Sequence, residues 1–222
     1  MSLVVLKLGG RIATDAAGEA GRLRAEGHEV VVVHGAGPQI TAELERRGVT
    51  PSFVNGRRVT TPEVLEVVCD SLLEVNRELC AQIGEDAVSF RGDEIGLPAT
   101  RAAGLGEVGD PIPSSPAQIT DALAAGRIPV VAPLAAGPLN VNADEAAAAL
   151  AVGLGAERIV FVTDVPGVLV DGVVADELQA GPVTAMLAAG RFEGGIVPKL
   201  EAAVRAARGG VRATIGATEV TP

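Results

Sequence analysis

The chain has 222 residues, 48% of them apolar, and carries 18 basic against 28 acidic residues for a formal charge of −10. Such a composition supports one sizeable core, but with four Phe and no Trp or Tyr Val, Ala, Leu and Gly must pack it, as in buried strands of α/β proteins. The negative balance argues against nucleic acid or an anionic membrane as partner, and no apolar run reaches the roughly 18–20 residues of a membrane span.

Met1 leads directly into an apolar run over residues 3–8 that ends in Gly9-Gly10, a buried strand and its turn. Without a basic leader segment, a cytoplasmic location is expected. Residues 14–26 are Ala-rich and predict a helix stopped at Gly27. A second buried strand over 29–33 breaks at His34-Gly35-Ala36-Gly37-Pro38, and helix resumes as far as Gly48. Strand–loop–helix repeated in this way is the pattern of a parallel α/β sheet.

Thr60-Thr61-Pro62-Glu63 combines a Thr cap, an early Pro and an acid in capping-box position. From Val64 to Ile83, apolar residues recur at helical spacing. That stripe suits either a core-facing helix or a subunit interface. Cys69 and Cys80 lie on it, separated by about 16 Å of helical rise, too far for a disulfide. Residues 92–116 are rich in Gly and Pro and read as loops with short β segments. A strand follows over 126–131, then a helix from Asn142 to Leu154, and a strand over 158–162. Asp171-Gly172 is a two-residue hairpin signal. Two more helical stretches precede a last strand over 212–215.

Two strands thus end in glycine-rich turns, and in parallel sheets ligands bind beyond the carboxyl ends of strands. Gly9, Gly10, Gly35 and Gly37 leave backbone N–H groups open to a phosphate, although neither turn matches a standard nucleotide motif. Lys7 interrupts an apolar strand, a costly place for an ammonium group unless an anion pairs with it. Lys199 follows Pro198 in the first turn of a helix, where the macrodipole disfavours a cation and a bound phosphate reverses the sign. Asn142-Ala143-Asp144-Glu145 has the form of a capped helix start; Asp144 suits either capping or orienting the lysines. Arg57-Arg58 lies at a loop-to-helix junction, and arginine suits a carboxylate. No metal-ligand spacing surrounds His28 or His34, and His34 is assigned to loop structure.

Seven segments in register resemble the amino acid kinase family and, within it, the branch that phosphorylates N-acetylglutamate in arginine biosynthesis. They are Lys7-Leu8-Gly9-Gly10, His34 to Ile40, Phe53 to Thr60, Val75 to Leu79, Asn140 to Asp144, Thr163 to Val168 and Gly194 to Lys199. The resemblance implies an α/β fold: a three-layer αβα sandwich around a mainly parallel sheet, with an acceptor-binding and dimerisation lobe over about 1–138 and an ATP-binding lobe over about 139–222. It implies ATP with Mg²⁺ as co-substrate, N-acetyl-L-glutamate as acceptor, and a homodimer formed through the Val64-to-Ile83 helix.

By the same resemblance Lys7 and Lys199 neutralise the transferring phosphoryl group and Asp144 holds both lysines. Gly35, Ala36, Arg58 and Asn140 bind the acceptor, while Gly9, Gly10, Thr163, Asp164 and Gly195 lie near the nucleotide. Rival readings are a kinase for carrier-bound aminoadipate or glutamate, and a catalytically silent nucleotide-binding homologue. Three departures stand out: Ala36 where the family usually has glycine, Arg11 where a small residue is usual, and an end at Pro222 where members continue through another helix and strand. From the last, an open sheet edge is expected just past Ile215.

Overall fold

The computed structural model describes residues 2–9 and 16–222; Gly10 of the predicted cradle, Arg11 beside it and the first two residues of the helix predicted over 14–26 lie outside them. The first half contains β1 (Leu3–Leu8), α1 (Ala16–Ala25), β2 (Glu29–His34), α2 (Gly37–Arg46) and the pair β3 (Phe53–Val54) and β4 (Arg57–Arg58). Next come α3 (Pro62–Ile83), β5 (Ala87–Arg91), β6 (Ala99–Arg101), β7 (Val108–Pro111) and α4 (Ala117–Ala124). Strands β8 (Ile128–Ala132), β9 (Leu134–Ala135) and β10 (Leu139–Val141) lead to α5 (Ala143–Gly153) and β11 (Arg158–Val162). The chain closes with β12 (Leu169–Val170), β13 (Val173–Val174), β14 (Glu177–Gln179), α6 (Ala180–Ala188), α7 (Ile196–Arg208), β15 (Arg212–Ile215) and β16 (Thr218–Thr221).

Eight strands form the central sheet in the order β14-β16-β15-β11-β1-β2-β8-β5. Every pair is parallel except β15 with β16. Strand alternation divides the core between the two faces. Val4, Leu6 and Leu8 join a cluster with residues of α1, α2 and α3. Val5 faces the other way, into a cluster with α4, α5, α6 and α7. The result is three layers, and Val30 to Val33 are fully buried between them. A smaller sheet, β6-β7-β10-β9, lies beside the large one.

Several local expectations change. The apolar stripe of α3 packs into this chain's own core through Val64, Val67, Val68, Leu72, Val75 and Leu79, so a second subunit is not needed to cover it. The Arg57-Arg58 segment is not a loop but one strand of a hairpin whose turn places Asn55 and Gly56 at φ 49° and 75°. Helix α4 and strands β14 and β16 were not legible in the sequence. Beyond Ile215 the chain turns back as β16, which pairs with β15 on one side and β14 on the other. The expected open edge past Ile215 is therefore covered. At the Asp171-Gly172 turn both φ values are positive, at 51° and 82°, as a tight two-residue hairpin requires.

Candidate active site

The carboxyl end of β1 determines the geometry. Lys7 shares the face of Val5, two residues earlier, and α5 packs on that face. Its Nζ lies 2.8 Å from Asp144 Oδ1, with side chains 6% and 8% exposed. Asp144 occupies the first turn of α5, where Asn142 caps the helix by accepting from the N–H groups of Asp144 (2.8 Å) and Glu145 (3.3 Å). Lys199 Nζ approaches the same Asp144 oxygen at 3.8 Å and is more exposed, at 19%. Burial pushes the Lys7 ammonium below its ordinary value; Asp144 opposes that fall and Lys199 adds to it.

Lys199 stands in the first turn of α7, which begins after Gly195 with no side-chain cap and no acid in its first turn. An uncapped helix start beside a lysine attracts anions through both free N–H groups and the macrodipole.

The second glycine turn follows β2. Gly35 N–H donates to Leu8 O at 3.0 Å, drawing the two strand ends together. Ala36 has φ −137°, a backbone conformation open to alanine, so its methyl group costs no strain. Beyond Gly37 a side chain would meet open space, and Pro38 then starts α2. His34, ending β2, is 1% exposed and receives a hydrogen bond from Asn76, whose amide also donates to Val130 O, each at 3.0 Å. One NH₂ group supplies both protons, so Nε2 accepts and the ring proton sits on Nδ1. Burial lowers the His34 pKa to about 4, and the neutral ring braces the turn against α3.

Arg58 points inward from the β3–β4 hairpin and is 8% exposed. Its Nη2 donates to Thr41 Oγ1 at 2.9 Å and Gly37 O at 3.3 Å, and the guanidinium sits 4.7 Å from the centre of the Phe53 ring. Its Nη1 is buried without a hydrogen-bond partner among the described residues. Burial lowers its pKa. Asn140 donates to Thr60 Oγ1 at 3.0 Å, and Thr60 in turn donates to Arg58 O at 2.9 Å.

These groups line two cavities that share Gly9 and Pro38. The first, about 260 Å³, brings together Lys7, Gly9, Gly35, Ala36, Arg58, Asn140 and Asp144. The second, about 500 Å³, brings together Gly9, Thr163, Asp164, Gly195 and Lys199. Gly10 lies outside the described residues. Sequence reasoning included Asn76 and Phe53 in its motifs but gave them no role, and it did not find the partners of Arg57. Asn76 pairs with His34 across 42 positions and Arg57 with Glu145 across 88, whereas Phe53 meets Arg58 across the hairpin, for which the Asn55-Gly56 turn was a local signal.

A family model described as the amino acid kinase family matches residues 2–216. An acetylglutamate kinase of Saccharopolyspora erythraea is 44% identical over 210 residues, covering 85% of this chain and 69% of that protein. An acetylglutamate kinase of Frankia casuarinae is 42% identical over 235 residues, covering 94% and 64%. The chain thus spans about two thirds of the length of these two relatives. A solved protein of Streptococcus mutans UA159 superposes with a TM-score of 0.90 at 28% identity, covering 99% of this chain and 98% of that one. A carbamate kinase of Giardia lamblia, at 16% identity and a TM-score of 0.74, shares the fold.

Proposed function

The chain belongs to the amino acid kinase family, and from that premise we propose that it transfers the γ-phosphoryl group of ATP to the side-chain carboxylate of N-acetyl-L-glutamate. The bond between the γ-phosphorus and the β-bridging oxygen breaks, a bond to a carboxylate oxygen forms, and ADP and an acyl phosphate leave. One observation carries the reading: a cavity lined by Arg58, buried with a donor unpaired among the described residues, and by Lys7 on Asp144 adjoins a second cavity, sharing Gly9 and Pro38 with it, that holds Lys199 on the same aspartate. An acceptor with two carboxylates suits a cavity lined by positive groups at both Arg58 and Lys7.

The chemistry asks little else. A glutamate side chain, with a pKa of about 4.3, is already ionised at pH 7, so no general base is required. Phosphoryl transfer depends on positioning and on neutralising charge spread over oxygens. Lys7 and Lys199 supply that charge and Asp144 keeps them together. The backbone N–H of Ala36 is assigned to phosphoryl or acceptor oxygens, while that of Gly35 is engaged by Leu8 O and shapes the turn; Gly9 lines both cavities. Arg58 binds the α-carboxylate, and Asn140 the acetamido end. Thr163, Asp164 and Gly195 line the nucleotide side.

Among the described residues no group of three or more His, Cys, Asp or Glu side chains converges on one point, and Asp144 is engaged by lysine. The donor set therefore suits a Mg²⁺ ion held mainly by nucleotide phosphates and water; when bound, it neutralises charge on the β- and γ-phosphates. The same proposal includes a division near residue 138 into acceptor and nucleotide lobes, a cytoplasmic location and a homodimer. No helix among the described residues is long and apolar enough to cross a membrane.

The test is ADP release with a panel of acceptors. Turnover is expected with N-acetylglutamate and not with glutamate or carrier-bound aminoadipate. Nucleotide binding without turnover on any acceptor overturns the proposal in favour of a silent homologue.

A further inference from the structure

Arg57 and Arg58 are neighbours on one strand, so their side chains leave opposite faces of the hairpin. Arg58 enters the cavity. Arg57 instead forms a two-pronged ion pair with Glu145, Nε to Oε1 at 3.2 Å and Nη2 to Oε2 at 2.6 Å, between side chains 18% and 10% exposed. Its Nη2 also donates to Asp110 on β7. Glu145 is the residue after Asp144 in the first turn of α5. A glutamate at this third helical position often turns back onto the cap; here it faces the hairpin.

We propose that Arg57, Glu145 and Asp110 form a latch that seats the β3–β4 hairpin and so aims Arg58 at the acceptor. The proposal rests on the acceptor reading above and adds a residue that borders the acceptor cavity but whose guanidinium is engaged by two carboxylates of the chain. Besides this latch, the hairpin is held by Arg58 on Thr41 and Gly37 O and, at its base, by the Val59 N–H on Ser52 O. It pairs through two residue pairs only, and Phe53 and Val54 at its tip are 53% and 47% exposed. The fork of Arg57 provides directional attachment, because guanidinium and carboxylate fix distance and plane together. Glu145 carries most of it, since Asp110 is 47% exposed and exposed ion pairs contribute little. Through Glu145 the hairpin is referenced to the same helical turn that carries Asp144, so acceptor arginine and lysine pair share one rigid mount. Arg57 is thus a positioning residue.

The test uses the whole chain, with hydrogen exchange of the hairpin amides, the Val59 N–H among them (bonded to Ser52 O at 2.9 Å), beside steady-state kinetics. Arg57→Leu and Glu145→Gln are each expected to speed hairpin exchange about tenfold. Each should raise KM for the acceptor about tenfold while KM for ATP and kcat stay within about twofold. The double variant should be no worse than either single one. Arg57→Lys should recover only part, because an ammonium cannot reproduce the fork. Glu145→Gln keeps the shape of the site and decides the matter if Arg57→Leu fails to fold. Unchanged exchange in a folded variant overturns the latch whatever the substrate. Faster exchange with an unchanged acceptor KM overturns the positioning role, as does a fall in kcat alone. Absence of wild-type turnover with N-acetylglutamate sinks the acceptor reading separately, and exchange still decides the latch.

Discussion

On the proposed acceptor side of the shared glycine turn, polar groups are buried and tied: Lys7 to Asp144 at 2.8 Å, His34 to Asn76, Asn140 to Thr60, Arg58 to Thr41. On the proposed nucleotide side Lys199 stands 3.8 Å from Asp144 and is more than twice as exposed as Lys7, beside an uncapped helix start and an exposed Val165. The contrast is physical. A short acceptor needs its direction fixed by prearranged donors, because misplacement of about 1 Å costs roughly a hundredfold in rate. A nucleotide brings its own charge and counterion to an anion-attracting helix end, so fewer protein contacts need to be prearranged there.

The largest effect that tests this contrast falls on the residue joining the two sides. Asp144→Asn should lower kcat by about a thousandfold, since both lysines lose their common counter-charge. Alanine is the poorer test: it leaves the Lys7 ammonium buried without a partner, at a cost of about 3–5 kcal/mol in stability. If Asp144→Asn mainly lowers the melting temperature and spares kcat, Asp144 belongs to the helix start alone. Next, Arg58→Leu should raise acceptor KM about a hundredfold, the scale of losing a charged, desolvated contact, with ATP KM little changed. Equal loss for both substrates would erase the distinction between the sides.

A smaller effect concerns the brace behind the turn. His34 is neutral in the fold, with a pKa near 4, against about 6.5 in the unfolded chain. Between those values the unfolded chain binds more protons, so stability is complete above about pH 6.5 and declines as pH falls toward 4, by up to roughly 3 kcal/mol. His34→Gln should flatten that slope in denaturant titrations across pH 4–7; an unchanged slope removes His34 as its source. The smallest effect is Ala36→Gly. With φ at −137° the methyl is accommodated, so glycine should leave kcat within about twofold and cost under about 1 kcal/mol.

Much of this was legible in the sequence where the signal is local. Buried Val runs, the Thr61 and Asn142 caps, the Asp171-Gly172 turn and the two misplaced lysines are each readable within a few residues. What stayed hidden is long-range. Short strands such as β14 and β16 carry no periodicity of their own and exist because each completes the other's ladder. Nothing near Arg57 in the sequence signals its ion pairs, because Asp110 and Glu145 lie 53 and 88 positions away. The α3 stripe was equally consistent with a core or an interface until its neighbours in α1, α2 and the sheet were known.

The central claim is that the acceptor oxygen attacked is a carboxylate, and hydroxylamine trapping with wild-type protein, ATP, Mg²⁺ and N-acetylglutamate tests it most directly. The account predicts a hydroxamate of the acceptor formed in step with ADP and absent when N-acetylglutamate is omitted. ADP released with no hydroxamate, or hydroxamate formed equally with glutamate, would contradict it.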